Sequence, residues 1–264
     1  MASSILFLGS GGARFVVARQ LRASGGMWMR FGTTQIQVDP GPGALVRALS
    51  HVPPCNPREL DAIVLSHKHL DHSGDVNVMI EAMTSGGFRR RGAVFAPHDA
   101  FDEGAVVLPY ARRFVERVEM LTPSSGPHRI GGVDLYTSKR HVHAVETYGL
   151  HFVHEDVRVA YLPCGKYFDG LAADYAKHRP DVLVVNVLRY RDQMNVDHLT
   201  WSDARRVVAG VRPKVAVFQH FGTKMLEAGP PRLARQLEDE LGLRVIAAYD
   251  GLSLDLETEV AAAG

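Results

Sequence analysis

The run Ser66-His67-Lys68-His69-Leu70-Asp71-His72 sets four metal-capable side chains, His67, His69, Asp71 and His72, within six residues. Imidazole and carboxylate are the ligand set of zinc and its first-row neighbours. The run directly follows an apolar segment, Ala62-Ile63-Val64-Leu65. On an extended strand a period of two sends His67, His69 and Asp71 to one side, and a turn into a helix near His72 swings that ring round as well. Such a turn at the end of a buried strand can hold two cations a few ångströms apart. Two cations so placed lower the pKa of a water between them and clamp both oxygens of a displacement. The competing reading is a polar surface loop that happens to be rich in histidine.

The elements that must position these groups read as mixed strands and helices. Strand-like runs are Ile5–Leu8, Trp28–Phe31, Gln35–Val38, Ala62–Leu65, Ala93–Phe95, Val133–Tyr136, Gly149–Val153, Val157–Leu162, Val182–Val187, Lys214–Phe218 and Arg244–Ala248. Helices are expected from Pro42 to Leu49, from Asp75 to Met83, from Ser202 to Val211 behind a Thr200 or Ser202 cap, and from Pro231 to Leu241 with Gly242 as the stop. Asp250-Gly251, between Ala248 and Leu252, reads as a hairpin turn. Pattern alone gives mixed α/β or α+β.

Composition sets outer limits. The 264 residues are 46% hydrophobic and 22% charged, ordinary for a globular protein with a substantial core. A net charge of +1 gives no global attraction to nucleic acid or anionic membrane. Local basic clusters stand at Arg89-Arg90-Arg91 and at Arg112-Arg113 with Arg117. The two cysteines, Cys55 and Cys164, argue against a disulfide scaffold and fit a reducing compartment. No run has the roughly 18 apolar residues of a membrane span, and the N-terminus lacks a signal peptide's basic start. A cytoplasmic location is expected, with no membrane partner.

The HxHxDH pattern resembles the signature of the metallo-β-lactamase superfamily, and further motifs follow in that family's order. Asp39 ends Gln35-Ile36-Gln37-Val38 before Pro40-Gly41. His143 precedes Gly149. His220 ends Val215-Ala216-Val217-Phe218-Gln219. The resemblance runs from Ile5 to about Leu256. It implies an α+β fold, the four-layer αββα sandwich, as a single domain over residues 1–264 with the site at one rim of the sheets. One motif departs: Cys164, in Tyr161-Leu162-Pro163-Cys164, stands where the family usually has a bridging Asp. Thiolate is itself a good zinc ligand, although a free cysteine is often simply core.

By this resemblance one ion takes His67, His69 and His143. A second takes Asp71, His72 and His220, with Cys164 between the two or on the second alone. Two divalent ions are implied, zinc first, with manganese or iron as alternatives. Asp71 also orients the hydroxide that bridges them. Asp39 is a candidate acceptor for the second ring nitrogen of a ligand histidine, or else a turn residue.

His198-Leu199-Thr200 resembles the His-x-Thr element of RNase Z-like nucleases and phosphodiesterases, in which the histidine is the general acid to the leaving oxygen. Gly9-Ser10-Gly11-Gly12-Ala13-Arg14 is RNase Z-like in position, and its glycines permit close approach to a phosphate. No arm for transfer RNA fits between His143 and Cys164, which span one expected hairpin. The resemblance therefore implies an armless, metal-dependent phosphodiesterase acting on RNA or a small phosphodiester, with a homodimer as a possible state. The alternatives are a thioester, lactone or β-lactam hydrolase, which needs no His198, and a weakly catalytic metal-binding relative, suggested by Cys164.

Overall fold

The computed structural model describes residues 3–102, 104–191 and 196–263. In chain order the strands are β1 (Ser4–Phe7), β2 (Met27–Phe31), β3 (Thr34–Val38), β4 (Ala62–Val64), β5 (Ala93–Pro97), β6 (Arg117–Leu121), β7 (His128–Ile130), β8 (Val133–Arg140), β9 (Tyr148–His154), β10 (Val157–Leu162), β11 (Val182–Asn186), β12 (Val215–Gln219), β13 (Arg244–Ala247) and β14 (Ser253–Asp255). They form two seven-stranded sheets, ordered β14-β1-β2-β3-β4-β5-β6 and β13-β12-β11-β10-β9-β8-β7. Strands β3 to β6 run parallel, as do β10 to β13, and the remaining pairs are antiparallel.

The sheets pack face to face through Ile5, Phe7, Met29, Val64 and Phe95 of one and Leu135, Phe152, Tyr161, Val184 and Val217 of the other. Helices cover the outer faces, so the inner parallel strands are buried on both sides. That is why β11 reads Val-Leu-Val-Val without alternation. The αββα sandwich is the observed fold. No helix among the described residues is long and apolar enough to cross a membrane.

Local signals explain the helices that flank the site. Helix Trp201–Val211 starts at Thr200, whose hydroxyl accepts from the Asp203 amide while the Asp203 carboxylate accepts from the Thr200 amide. Such a cap is worth about 1 kcal/mol. Its buried residues, Trp201, Ala204, Val207 and Val208, share one face against the second sheet. Helix Pro230–Leu241 ends at Gly242, in the left-handed region at φ 62°. Helices Ala44–Ser50 and Val76–Met83 lie within two residues of their expected starts.

Asp250-Gly251 departs from expectation. It is no hairpin turn, because β13 pairs with β12 in the second sheet whereas β14 pairs with β1 in the first. The turn carries the chain from one sheet to the other. Asp250 anchors it by accepting from the Ser10 and Ala23 amides and from the Ser10 hydroxyl. Strands β6 and β7 were not expected either. Both lie at sheet edges, where exposed positions break the apolar pattern.

Candidate metal centre

β4 ends at Val64, two residues before the HxHxDH run, and a short helix, Leu70–Ser73, begins inside it. Period-two alternation is therefore not what gathers these side chains. His67 and His69 come from the connecting segment, with His69 at the helix cap, while Asp71 and His72 come from the helix. His143 arrives from the loop after β8, Cys164 from the end of β10 and His220 from the end of β12. Each stands at the carboxyl end of a strand or just beyond it, so both sheets contribute at one rim.

The ligand atoms of His67, His69 and His143 lie within 4.8 Å of one another, as do those of Asp71, His72 and His220. Cys164 falls within the same limit of His67 and His72, and separately of His143 and His198. The Nε2 atoms of His72 and His220 are 2.9 Å apart, and His143 Nε2 is 3.1 Å from His69 Nδ1. Asp71 Oδ2 lies 3.1 Å from His220 Nε2, and the Cys164 sulfur 3.5 Å from His72 Nε2.

The protons of several rings are held on the far side. His72 Nδ1 donates to Asp39 Oδ2 at 2.9 Å, and His143 Nδ1 donates to the Asp197 carbonyl at 2.9 Å. The remaining nitrogen of each ring then turns a lone pair toward the cluster. His67 Nε2 is buried with no hydrogen-bond partner. A buried orphan nitrogen amid converging imidazoles, a carboxylate and a thiol is a donor set that fits divalent cations.

Electrostatics divide the cluster. Burial pulls His67 and His143 down to about 4 and lowers His69 as well, so these rings are neutral near pH 7 and need lose no proton to bind a cation. The other half carries negative charge. Burial raises the Asp71 carboxyl, but His72 and His220 outweigh it and hold it far below the carboxylate range. Burial likewise opposes ionisation of Cys164, yet His220 and His72 draw the thiol well below its usual value. His220 rises to about 9 against burial, under Cys164 and Asp71. At most one proton fits between the His72 and His220 Nε2 atoms, and an arriving cation would displace it.

Asp39 holds the cluster from beneath. At φ 49° it sits in the left-handed region, a conformation that persists only where surroundings impose it. Here they do so through the Ser66 amide at 2.7 Å, the Ser66 hydroxyl at 2.6 Å and the Tyr161 hydroxyl at 2.9 Å, besides His72. Asn186 donates to the Tyr161 oxygen at 3.0 Å and to the Cys164 sulfur at 3.6 Å. Tyr161 was legible only as part of the motif that ends at Cys164, and Asn186 carried no signal, since it ends an apolar run that reads as core. Ser66 was legible only as the residue before His67.

The glycine loop packs against the cluster. A Cβ on Gly12 would lie 2.2 Å from His220 Nδ1, so this glycine makes room for a ligand ring. The next amide, of Ala13, donates to Asp71 Oδ2 at 3.0 Å. Arg14 is exposed and makes no ion pair among the described residues. His198 comes closer to the cluster than a peripheral proton donor need be. Its ring lies 5.1 Å from that of His143 and 6.2 Å from that of His220, and its Nδ1 is buried without a partner. Between His143 and Cys164 the structure holds only the β9–β10 hairpin and its Glu155-Asp156 turn.

A family profile described as a beta-lactamase superfamily domain matches residues 34–221. The uncharacterized protein MJ1374 of Methanocaldococcus jannaschii is 29% identical over 267 residues, covering 97% of this chain and 96% of its own. The metallo-beta-lactamase fold protein YhfI of Bacillus subtilis superposes with a TM-score of 0.77 at 20% identity, covering 96% of this chain and 99% of its own. The human short-form tRNase Z superposes at 0.72 with 15% identity, over 96% of this chain and 99% of its own.

Proposed function

The chain belongs to the beta-lactamase superfamily, whose fold is that of metal-dependent hydrolases, and from that premise we propose that it is a divalent-metal-dependent phosphodiesterase acting on RNA or a small phosphodiester. On this reading His67, His69 and His143 hold one ion, Asp71, His72 and His220 hold the other, and Cys164 stands beside both. Zinc is the first expectation from the nitrogen, oxygen and sulfur donors. Divalent ions supply a water of lowered pKa and a counter-charge for phosphoryl oxygens. One domain over the whole chain accounts for ligands drawn from both sheets.

The observation that carries the proposal is the position of His198. A hydroxide-dependent hydrolase of thioesters or lactones has no need of a further histidine at the rim. A phosphodiesterase does, because an alkoxide leaving group requires a proton as the P–O bond breaks. His198 offers an imidazole beside both halves of the cluster, with one ring nitrogen otherwise unpaired.

A cleft of about 690 Å³ opens from the same rim, bordered by Gly12, Phe15, Arg189, Tyr190, Arg191 and Lys224. Its cations suit phosphate, its two rings suit a base, and its size suits a nucleotide-sized group. The similarity to a protein named as a transfer-RNA nuclease supports phosphodiester chemistry. The absence of an arm between His143 and Cys164 favours smaller substrates.

The test is hydrolysis by the purified protein of a panel of oligoribonucleotides, cyclic nucleotides and small diesters, against thioesters and lactones, with zinc, manganese or iron added. Turnover confined to diesters supports the proposal. Turnover confined to thioesters or lactones overturns it.

A further inference from the structure

Five arginines, Arg89, Arg90, Arg91, Arg117 and Arg129, line one concavity of about 570 Å³. They come from three separate segments: the loop before β5, the first residue of β6 and the middle of β7. This is the opposite end of the molecule from the metal centre. The candidate ligands follow the carboxyl ends of the parallel strands, whereas Ala93 and Arg117 begin β5 and β6. The five residues of β5 alone separate the two rims by roughly 15 Å at strand rise. A small substrate at the metal centre does not reach this pocket.

Three of these five charges are paired, and those of Arg89 and Arg90 are not. Asp61 and Glu116 are the only acids on the lining, against five cations, in a chain whose net charge is +1. Arg91 pairs with Asp61 at 3.5 Å and Arg129 with Asp134 at 3.1 Å. Arg117 lies over the Phe95 ring at 4.8 Å, 3.5 Å from Glu119. Arg90 donates Nε to the Val115 carbonyl at 2.8 Å, which leaves its two terminal nitrogens free. The Arg89 amide donates to the Thr84 carbonyl at 2.9 Å, and its guanidinium makes no hydrogen bond or ion pair among the described residues. Arg91 is already engaged, with Nη1 donating to the Arg58 carbonyl at 2.5 Å and Nη2 facing Asp61, so it borders the pocket as a fixed positive charge. A merely solvated arginine run would splay its guanidinium groups singly into water, but these converge on one hollow from different parts of the chain.

Phe88, the residue before Arg89 in the chain, is 97% exposed. Gly86 and Gly87, at φ 70° and 81°, shape the turn that presents it, and a Cβ on Gly87 would strike the Phe114 ring at 2.6 Å. A planar apolar ring held in water next to free guanidinium groups matches an anion that also carries a ring.

We propose that this pocket binds a nucleotide bearing two or more phosphates, its phosphates on Arg89 and Arg90 and its base against Phe88. Guanidinium groups meet phosphate oxygens in a bidentate fork, and several at once select polyphosphates over single charges. The site is independent of the catalytic reading and stands whether or not the rim opposite is a phosphodiesterase.

The test is calorimetric titration of the metal-loaded protein at low salt with adenosine diphosphate, pyrophosphate and a single-stranded RNA oligomer, in excess magnesium to keep the probes from stripping bound ions. Wild type should bind both small probes, the nucleotide more tightly. Arg89→Ala with Arg90→Ala should weaken this binding by about tenfold or more for each lost guanidinium, while hydrolytic activity is kept. Arg89→Lys with Arg90→Lys should retain part of it. Phe88→Ala should erase the advantage of the nucleotide over pyrophosphate. Equal binding by wild type and the double alanine variant would overturn the proposal. So would binding of the RNA oligomer alone that is lost in the double alanine variant, which would make the face a nucleic-acid contact.

Discussion

Asp39 and His72 face each other Oδ2 to Nδ1 at 2.9 Å, both almost fully buried, and the opposite nitrogen of the same ring lies 2.9 Å from His220. The carboxylate thus fixes which nitrogen of His72 carries the proton and which turns inward. Replacing Asp39 by Asn keeps the shape but removes the charge that favours a bound ring. Metal affinity should fall by about 10–100-fold, the usual cost of losing such a partner. Competition with a chromophoric chelator measures it, and an unchanged affinity would remove Asp39 from the metal site.

His67 and His69 lie in the half whose rings burial keeps neutral. Changing both to Ala should strip most bound metal while the circular dichroism spectrum stays native, since the sheets pack through other residues. Elemental analysis of the purified variant decides the matter. Full metal retention would sink the ligand assignment.

Cys164 should report directly on an ion at its sulfur. In the cobalt-substituted protein a thiolate ligand gives strong near-ultraviolet charge-transfer absorption, which Cys164→Ser should abolish. A wild-type protein without that band would exclude the sulfur from the coordination sphere. With the thiol drawn well below its usual value by His220 and His72, activity should also fall under mild oxidants and return with reductant.

His198→Ala should slow cleavage of a diester with a ribose leaving group by roughly 10²–10⁴-fold, the scale of general acid catalysis. A nitrophenyl diester, whose leaving group needs no proton, should lose far less. Because His198 also lies near His143 and Cys164, metal content must be measured on the same variant. Equal slowing of both substrates at full metal content would indicate phosphate binding in place of proton donation.

A second set of histidines lies outside the candidate ligands and should weaken the fold in acid. His151 is buried with neither ring nitrogen paired, stacked on His178 at 3.9 Å. Burial, then the His178 and Lys177 charges, hold it well below its ordinary value. The unfolded ring titrates near 6.5, so protons favour the unfolded chain below that pH. The His151 contribution is complete above pH 6.5 and is lost as pH falls. Each pH unit below this costs about 1.4 kcal/mol, or roughly 2–4 °C in melting temperature for a chain of this size. His151→Leu should therefore melt closer to its neutral-pH value at pH 5 than wild type does. Parallel pH profiles for the two proteins would count against this.

The sequence disclosed the centre better than its support. His67, His69, Asp71 and His72 are legible because ligand types crowd one short run, and His143, Cys164 and His220 because motif order implies them. The supporting roles of Tyr161 and Asn186 were not, because a polar side chain in an apolar strand looks the same whether it supports a site or merely finds a partner. The Asp250-Gly251 turn shows a different limit. Its residues specify a reversal of direction, but the sheet that receives the next strand is decided by β1, some 250 positions upstream. The edge strands β6 and β7 escaped for the converse reason, since solvent on one side erases the apolar pattern.

The placement of β14 beside β1 bears on biogenesis. Ser4 pairs with Asp255, and the Ser3 amide donates to the Glu257 carboxylate. On the ribosome the first sheet must therefore wait, one edge unpartnered, for nearly the whole chain to emerge. The candidate centre waits too, since His67 and His220 lie on opposite sides of that delay. Such long-range closure slows folding. It also means that the Asp71, His72 and His220 set stays incomplete until β12 has emerged, long after the His67, His69 and His143 set has all its members.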